Sequence, residues 1–230
     1  MFFSNRIINI RARDKVLEIG PGSTPYARSN EFLEYDFSPD DLVRQRGGGD
    51  EEPNLGGRKL TRYTGTRMPY GDGEFDYVIA SHVIEHVDDP IGFVSEICRI
   101  GGGRGYLEFP LPTYEYLYDF DVHRHYVWFD HTLGAIKYLP KNETNHQNFA
   151  SITDGLRQSL AVGWDDLIAS NPENFFYGLE FFQGVQILRA QSLNEYRVMS
   201  FPVKRRSRWR RVVGSVAKGL SIFTGAKREK

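Results

Sequence analysis

Apolar positions fall along the chain in short runs separated by turn signals and by stretches of helical period. Lys15–Ile19 (KVLEI) is a compact run that ends at Gly20-Pro21-Gly22, which predicts a strand entering a tight turn. Thr24 followed by Pro25 predicts a helix N-cap with proline at the first helical position. Phe32–Phe37 reads as a second strand, and Ser38-Pro39-Asp40-Asp41 opens a helix running toward Arg46. Residues 47–57 form a glycine-rich and acidic loop, Leu60–Thr64 is a third strand, and Phe75–Ser81 is nearly continuous in apolar residues, as in a fully buried strand. Asp88-Asp89-Pro90 caps a helix over Ile91–Ile100 with Ile91, Val94, Ile97 and Cys98 on one face, and Tyr106–Phe109 is a fifth strand. Strands alternating with helices at this spacing predict an α/β domain with a doubly wound, mostly parallel sheet, whose ligands bind outside the carboxyl ends of the strands.

Beyond Pro110 the pattern changes. Residues 111–150 are aromatic, weakly periodic and hold four of the six histidines, so they are expected to form a lid or acceptor-binding insertion over the ligand edge. A helix is predicted from Ser151 to about Ser170, and Phe175–Phe182 with Val185–Ala190 are read as a closing β-hairpin around Gln183-Gly184.

Composition adds three constraints. With 40% hydrophobic and 26% charged residues, 230 residues are enough for one domain with a full core. The single cysteine, Cys98, excludes an intrachain disulfide and fits a reducing, cytoplasmic setting. The opening MFFSNRIINIRARDK lacks the apolar core of a secretion signal, and no run approaches the about 18 apolar residues of a membrane span.

Charge is unevenly spread. Residues 201–230 carry ten Lys or Arg and one acid, Glu229, so a strongly basic tail follows an acidic body, which argues against DNA as a partner. In residues 204–230, Trp209, Val212, Val213, Val216, Leu220 and Phe223 recur at helical spacing. That is a basic amphipathic helix suited to the inner face of an anionic membrane, with a partner protein or RNA as competing readings. The expected division is a catalytic domain over residues 1–203 and this tail.

Gly20-x-Gly22 is not the dinucleotide fingerprint, because Pro25 stands where the third glycine packs helix on strand. What remains is Glu18, able to hold an ammonium group through water, and Asp36 at the next strand's end, able to accept from both ribose hydroxyls. The pair suits a cationic nucleoside.

VLEIGPG at Val16–Gly22, MPYGDGEFDYVIASHVIEHV at Met68–Val87 and GGGRGYLEFP at Gly101–Pro110 resemble the class I S-adenosylmethionine-dependent methyltransferases of the group 11 type. The resemblance implies a Rossmann-like, seven-stranded sheet whose last strand is antiparallel. It places the methionine end of S-adenosylmethionine over Gly20 and Gly22, the ribose at Asp36, and the adenine near Thr64 or the backbone of Gly65 and Thr66. Ser81 and His82 would line the pocket beside the sulfonium. His82-Val83-Ile84-Glu85-His86 also matches the helical zinc pattern HxxEH, but its position in the resemblance accounts for it, and no metal is expected. An alcohol acceptor must lose a proton, and the candidates for that step are His82, His123 and His125, with Asp121 as the group that orients the last two; incidental surface histidines are the competing reading. The expected function is methyl transfer to a hydroxyl of a glycan, glycolipid or lipophilic small molecule near the membrane, by similarity to methyltransferases of bacterial cell-surface polysaccharide assembly. The alternative is a catalytically inactive scaffold of the same fold acting through its basic tail.

Overall fold

The computed structural model describes residues 1–45, 53–146 and 150–197; the predicted amphipathic tail and most of the loop after Gln45 lie outside the described residues. Met1–Tyr196 is one compact unit. Its main sheet has the strand order β3-β2-β1-β4-β5-β8, from Lys59–Tyr63 (β3), Glu31–Tyr35 (β2), Val16–Ile19 (β1), Tyr77–Ser81 (β4), Gly105–Pro110 (β5) and Phe176–Phe181 (β8). The first five are parallel, with Val16 opposite Tyr77 and Ile19 opposite Ala80, whereas β8 runs antiparallel to β5 with Gly105 opposite Phe181. This is a Rossmann-like order, and its reversal point lies between β1 and β4.

Pleating divides the apolar residues between two faces. Leu17, Ile19, Val78, Ala80, Leu107 and Phe109 pack with Phe93, Val94, Ile97 and Ile100 of the helix Pro90–Ile100 (α2). Val16, Tyr77, Ile79 and Tyr106 face the other way and are covered by Ile7 and Ile10 of the N-terminal segment. Each fully buried Phe, Ile or Leu contributes about 1.5–3 kcal/mol. The start of α2 follows the sequence signal: Asp89 accepts from the Gly92 amide at 3.0 Å and Pro90 occupies the first turn. Ile91, expected on the inner face, is exposed, and Phe93 takes its place.

Other expectations need correction. The sheet has six strands among the described residues, not seven. The segment after β5 pairs with itself instead of entering the main sheet: the helix Pro112–Tyr118 (α3) leads into the antiparallel strands His125–Asp130 (β6) and Ala135–Pro140 (β7). The closing hairpin does not form, because β8 joins β5 while Ile187–Arg189 (β9) runs parallel to β7, making a second sheet β6-β7-β9. The single helix expected over 151–170 is broken into Ala150–Ser159 (α4) and Asp165–Ala169 (α5) by a kink at Gly163, where φ is +101°. The helix from Pro39 is the short α1, Pro39–Gln45.

No helix follows Thr24 and Pro25. The Tyr26 amide and Ser29 hydroxyl donate to Glu18 at 2.8 and 2.7 Å, and the Arg58 guanidinium takes the carbonyls of Tyr26, Ala27 and Ser29. Backbone groups that an α-helix would join four residues apart are thereby bound from outside the segment.

Candidate functional site

Because β1 to β5 are parallel, their carboxyl ends share one edge. β1 exits into Gly20 and Gly22, both left-handed, at φ +64° and +54°. A Cβ on Gly20 would lie 2.8 Å from Val83 Cγ2, so the chain leaving β4 packs directly on the turn, whereas a Cβ on Gly22 would meet nothing within 4 Å. Asp36 follows β2 and is exposed, its amide donating to the Tyr63 carbonyl at 2.9 Å. Thr64, Gly65 and Thr66 follow β3 and are also exposed. Ser81 ends β4 and His82 comes next, at φ +56°. Glu18 differs from its expected placement: it is buried, and its Oε2 is taken by Tyr26 and Ser29, so it anchors the floor of the turn. Burial raises its pKa despite those hydrogen bonds.

The centre of this edge is Glu108, a fully buried β5 residue that the sequence reading missed. Its carboxylate accepts from the Phe2 and Phe3 amides at 2.7 and 2.9 Å, the Tyr106 hydroxyl at 2.7 Å and the Ser81 hydroxyl at 3.1 Å. His82 Nε2 lies 3.2 Å from the same carboxylate and His82 Nδ1 lies 3.4 Å from Glu85. Burial alone would raise Glu108, but His82 and these donors hold it down at about 2. For His82 burial works toward the neutral form, and the two carboxylates override it, carrying the imidazole up to about 9. Both ring nitrogens of His82 thus face carboxylates, which favours the charged form. Phe2 packs edge-on against its ring and stacks on Phe176.

His123 and His125 do not share a strand face. His125 opens β6 and is buried, its Nε2 2.9 Å from the Val87 carbonyl; burial lowers its pKa. It pins β6 to the segment after β4. His123 precedes β6 and its Nδ1 is hydrogen-bonded to the buried carboxylate of Glu115 on α3. Asp121, expected to orient both, is instead paired with Arg44 of α1 at 2.8 Å. His123 lines a cavity of about 570 Å³ with Asp119, Lys141, Asp88, Arg124 and Tyr138. Glu115 gave no motif signal, because its pairing across the α3–β6 turn is tertiary.

A parallel sheet of this order, with a left-handed glycine turn after its first strand and an acid after its second, defines a Rossmann-like α/β fold whose ligand edge suits a nucleoside. Residues 17–109 match the family model of the methyltransferase domain. An uncharacterized methyltransferase of Mycobacterium sp. (strain KMS) is 31% identical over 173 residues, 68% of this chain and 64% of the relative. One from Mycolicibacterium gilvum is 30% identical over 117 residues, 45% of this chain and 44% of that protein. The match to the Mycobacterium relative thus spans somewhat under two thirds of its length. Among solved structures, a SAM-dependent methyltransferase of Thermotoga maritima, described as a possible histamine N-methyltransferase, is 24% identical. It covers 44% of this chain and 46% of its own at a TM-score of 0.31. The cofactor that the family match assigns is S-adenosylmethionine. The residues present fit it: the space beside Gly22 is open, Asp36 is exposed for a diol, and Thr64 to Thr66 are free of the core.

Proposed function

We propose that the protein transfers a methyl group from S-adenosylmethionine to a hydroxyl of a glycan, glycolipid or lipophilic small molecule. The observation that supports this most is the alignment of Gly20, Gly22, Asp36, Thr64–Thr66, Ser81 and His82 along one edge of the parallel sheet, within the matched residues 17–109. When bound, the cofactor supplies an electrophilic methyl on a sulfonium. The chain's own part is to align the acceptor, exclude water and accommodate the hydroxyl proton.

Gly20 and Gly22 hold the methionine end, Asp36 the ribose hydroxyls, and Thr64, Gly65 and Thr66 the base. Ser81 and His82 border the reacting centre, where Glu108 and Glu85 balance the imidazolium. Of the three sequence candidates for proton handling, His82 has both ring nitrogens facing carboxylates and His125 faces the Val87 carbonyl. His123 lines the cavity that would receive the acceptor. The cavity beside it suits a neutral, hydroxyl-rich ligand, because its charged groups are mutually paired: Lys141 with Asp119 at 2.6 Å, Arg124 with Asp88, and Arg189 with Glu143.

Calorimetric titration with S-adenosylmethionine tests the cofactor reading. Asp36→Ala removes a charge-assisted acceptor worth about 1.5–3 kcal/mol, so affinity falls by about ten- to a hundredfold. Unchanged affinity refutes the ribose assignment, and no heat from the unmodified protein favours a catalytically silent scaffold.

A further inference from the structure

The HxxEH run places Glu85 and His86 on the turn after β4, and the fold brings His123 to them from the segment before β6. One ligand atom from each of the three lies within 4.8 Å of the other two. Glu85 is fully buried and, among the described residues, neither of its oxygens has a hydrogen-bond partner; His82 Nδ1 lies 3.4 Å and His86 Nε2 3.9 Å from it. A buried carboxylate is costly unless cations or donors meet it, and His82 and His86 both face Oε1, so Oε2 is the oxygen left unmet. His86 Nδ1 is likewise buried without a partner, and the His86 and His123 rings meet edge-on with centroids 4.5 Å apart.

His123 supplies an independent indication. Its Nδ1 is held by Glu115, a buried carboxylate that also faces Lys141 Nζ at 3.4 Å, which leaves Nε2 as the nitrogen available to a ligand. A carboxylate behind an imidazole is the outer support that metal-bound histidines carry, fixing tautomer and ring orientation.

We propose that Glu85, His86 and His123 form a binding site for one divalent ion of the zinc class. Two imidazoles and one carboxylate select zinc or cobalt over magnesium or calcium, which favour all-oxygen shells. Tetrahedral binding at about 2.0–2.2 Å sets neighbouring ligand atoms about 3.4 Å apart, so the trio closes by up to about 1.4 Å. His123 borders the 570 Å³ cavity, which gives the ion an entry path and leaves its fourth position open on that side. The proposal stands without the methyl-transfer reading, since none of its three ligands is assigned to the cofactor there.

The test uses the full chain stripped with a chelator and dialysed, then titrated with cobalt(II) followed by its visible absorption, and with zinc(II) against a chromogenic chelator. One equivalent binds, and Glu85→Gln and His123→Asn each weaken binding at least tenfold. His123 is partly exposed, so His123→Asn carries the test if Glu85→Gln does not fold. Absence of stoichiometric binding at micromolar metal overturns the site, as does unchanged affinity in a natively folded His123→Asn. Titrating the chelated protein with S-adenosylmethionine separates this failure from failure of the cofactor reading.

Discussion

Replacing Glu108 by Gln tests the electrostatic centre of the ligand edge. The carboxylate accepts four hydrogen bonds, faces His82 at 3.2 Å, and has the Met1 ammonium 3.9 Å away. The charged and titratable groups around it are thus His82 from the turn after β4, Tyr106 from its own strand and that amine. Holding a carboxyl at about 2 rather than its ordinary 4.5 corresponds to about 3 kcal/mol of stability, at about 1.4 kcal/mol per tenfold change. The cost of breaking one partner of a buried pair, about 3–5 kcal/mol, is of the same size. Glu108→Gln therefore lowers unfolding free energy by about 3 kcal/mol at neutral pH, measured by urea unfolding. Because the folded pKa is depressed, the contribution is complete above the ordinary carboxylate value and is lost as pH falls toward about 2. By about pH 3.5 the gap between the two proteins narrows by about 1.4 kcal/mol. A gap under about 1 kcal/mol at neutral pH, or one of constant size in acid, refutes the reasoning.

Two further outcomes follow from the glycine turn and the tail. Gly20→Ala places a methyl 2.8 Å from Val83 Cγ2 in a left-handed conformation, so it costs about 2–3 kcal/mol and weakens cofactor binding, whereas Gly22→Ala carries only the conformational cost of about 1 kcal/mol. Thermal melts and cofactor titration of the two variants compare them, and equal losses contradict the packing argument. Liposomes rich in anionic lipid sediment the full chain and not one lacking residues 204–230, in a salt-sensitive manner; equal partition of both forms refutes membrane attachment.

β1, β4 and β5 were legible because each is a short, largely apolar run closed by a turn signal, and burial on both faces writes itself into composition. The glycine turn and Asp36 were legible for a similar reason, since backbone conformation and strand-end position are local properties. What escaped the sequence is non-local. Thr24-Pro25 carries a sound helix start, but Glu18 and Arg58 capture the following backbone from other parts of the chain. Phe176–Phe181 and Ile187–Arg189 alternate well enough for a hairpin, yet each finds a better-buried partner in β5 and β7. Glu108 and Glu115 look like solvated charges in the sequence, and only the fold shows them gathering donors in the interior.

The route of the chain through its two sheets restricts how this molecule can be re-engineered. It leaves the main sheet after β5, builds β6 and β7, returns as β8, and goes out again so that β9 closes against β7. The aromatic segment is thus stitched in from both sides and cannot be exchanged as a cassette between relatives cut at Pro110 and Ala150. A graft that preserves the second sheet has to carry residues 111–190 as one piece, β8 included.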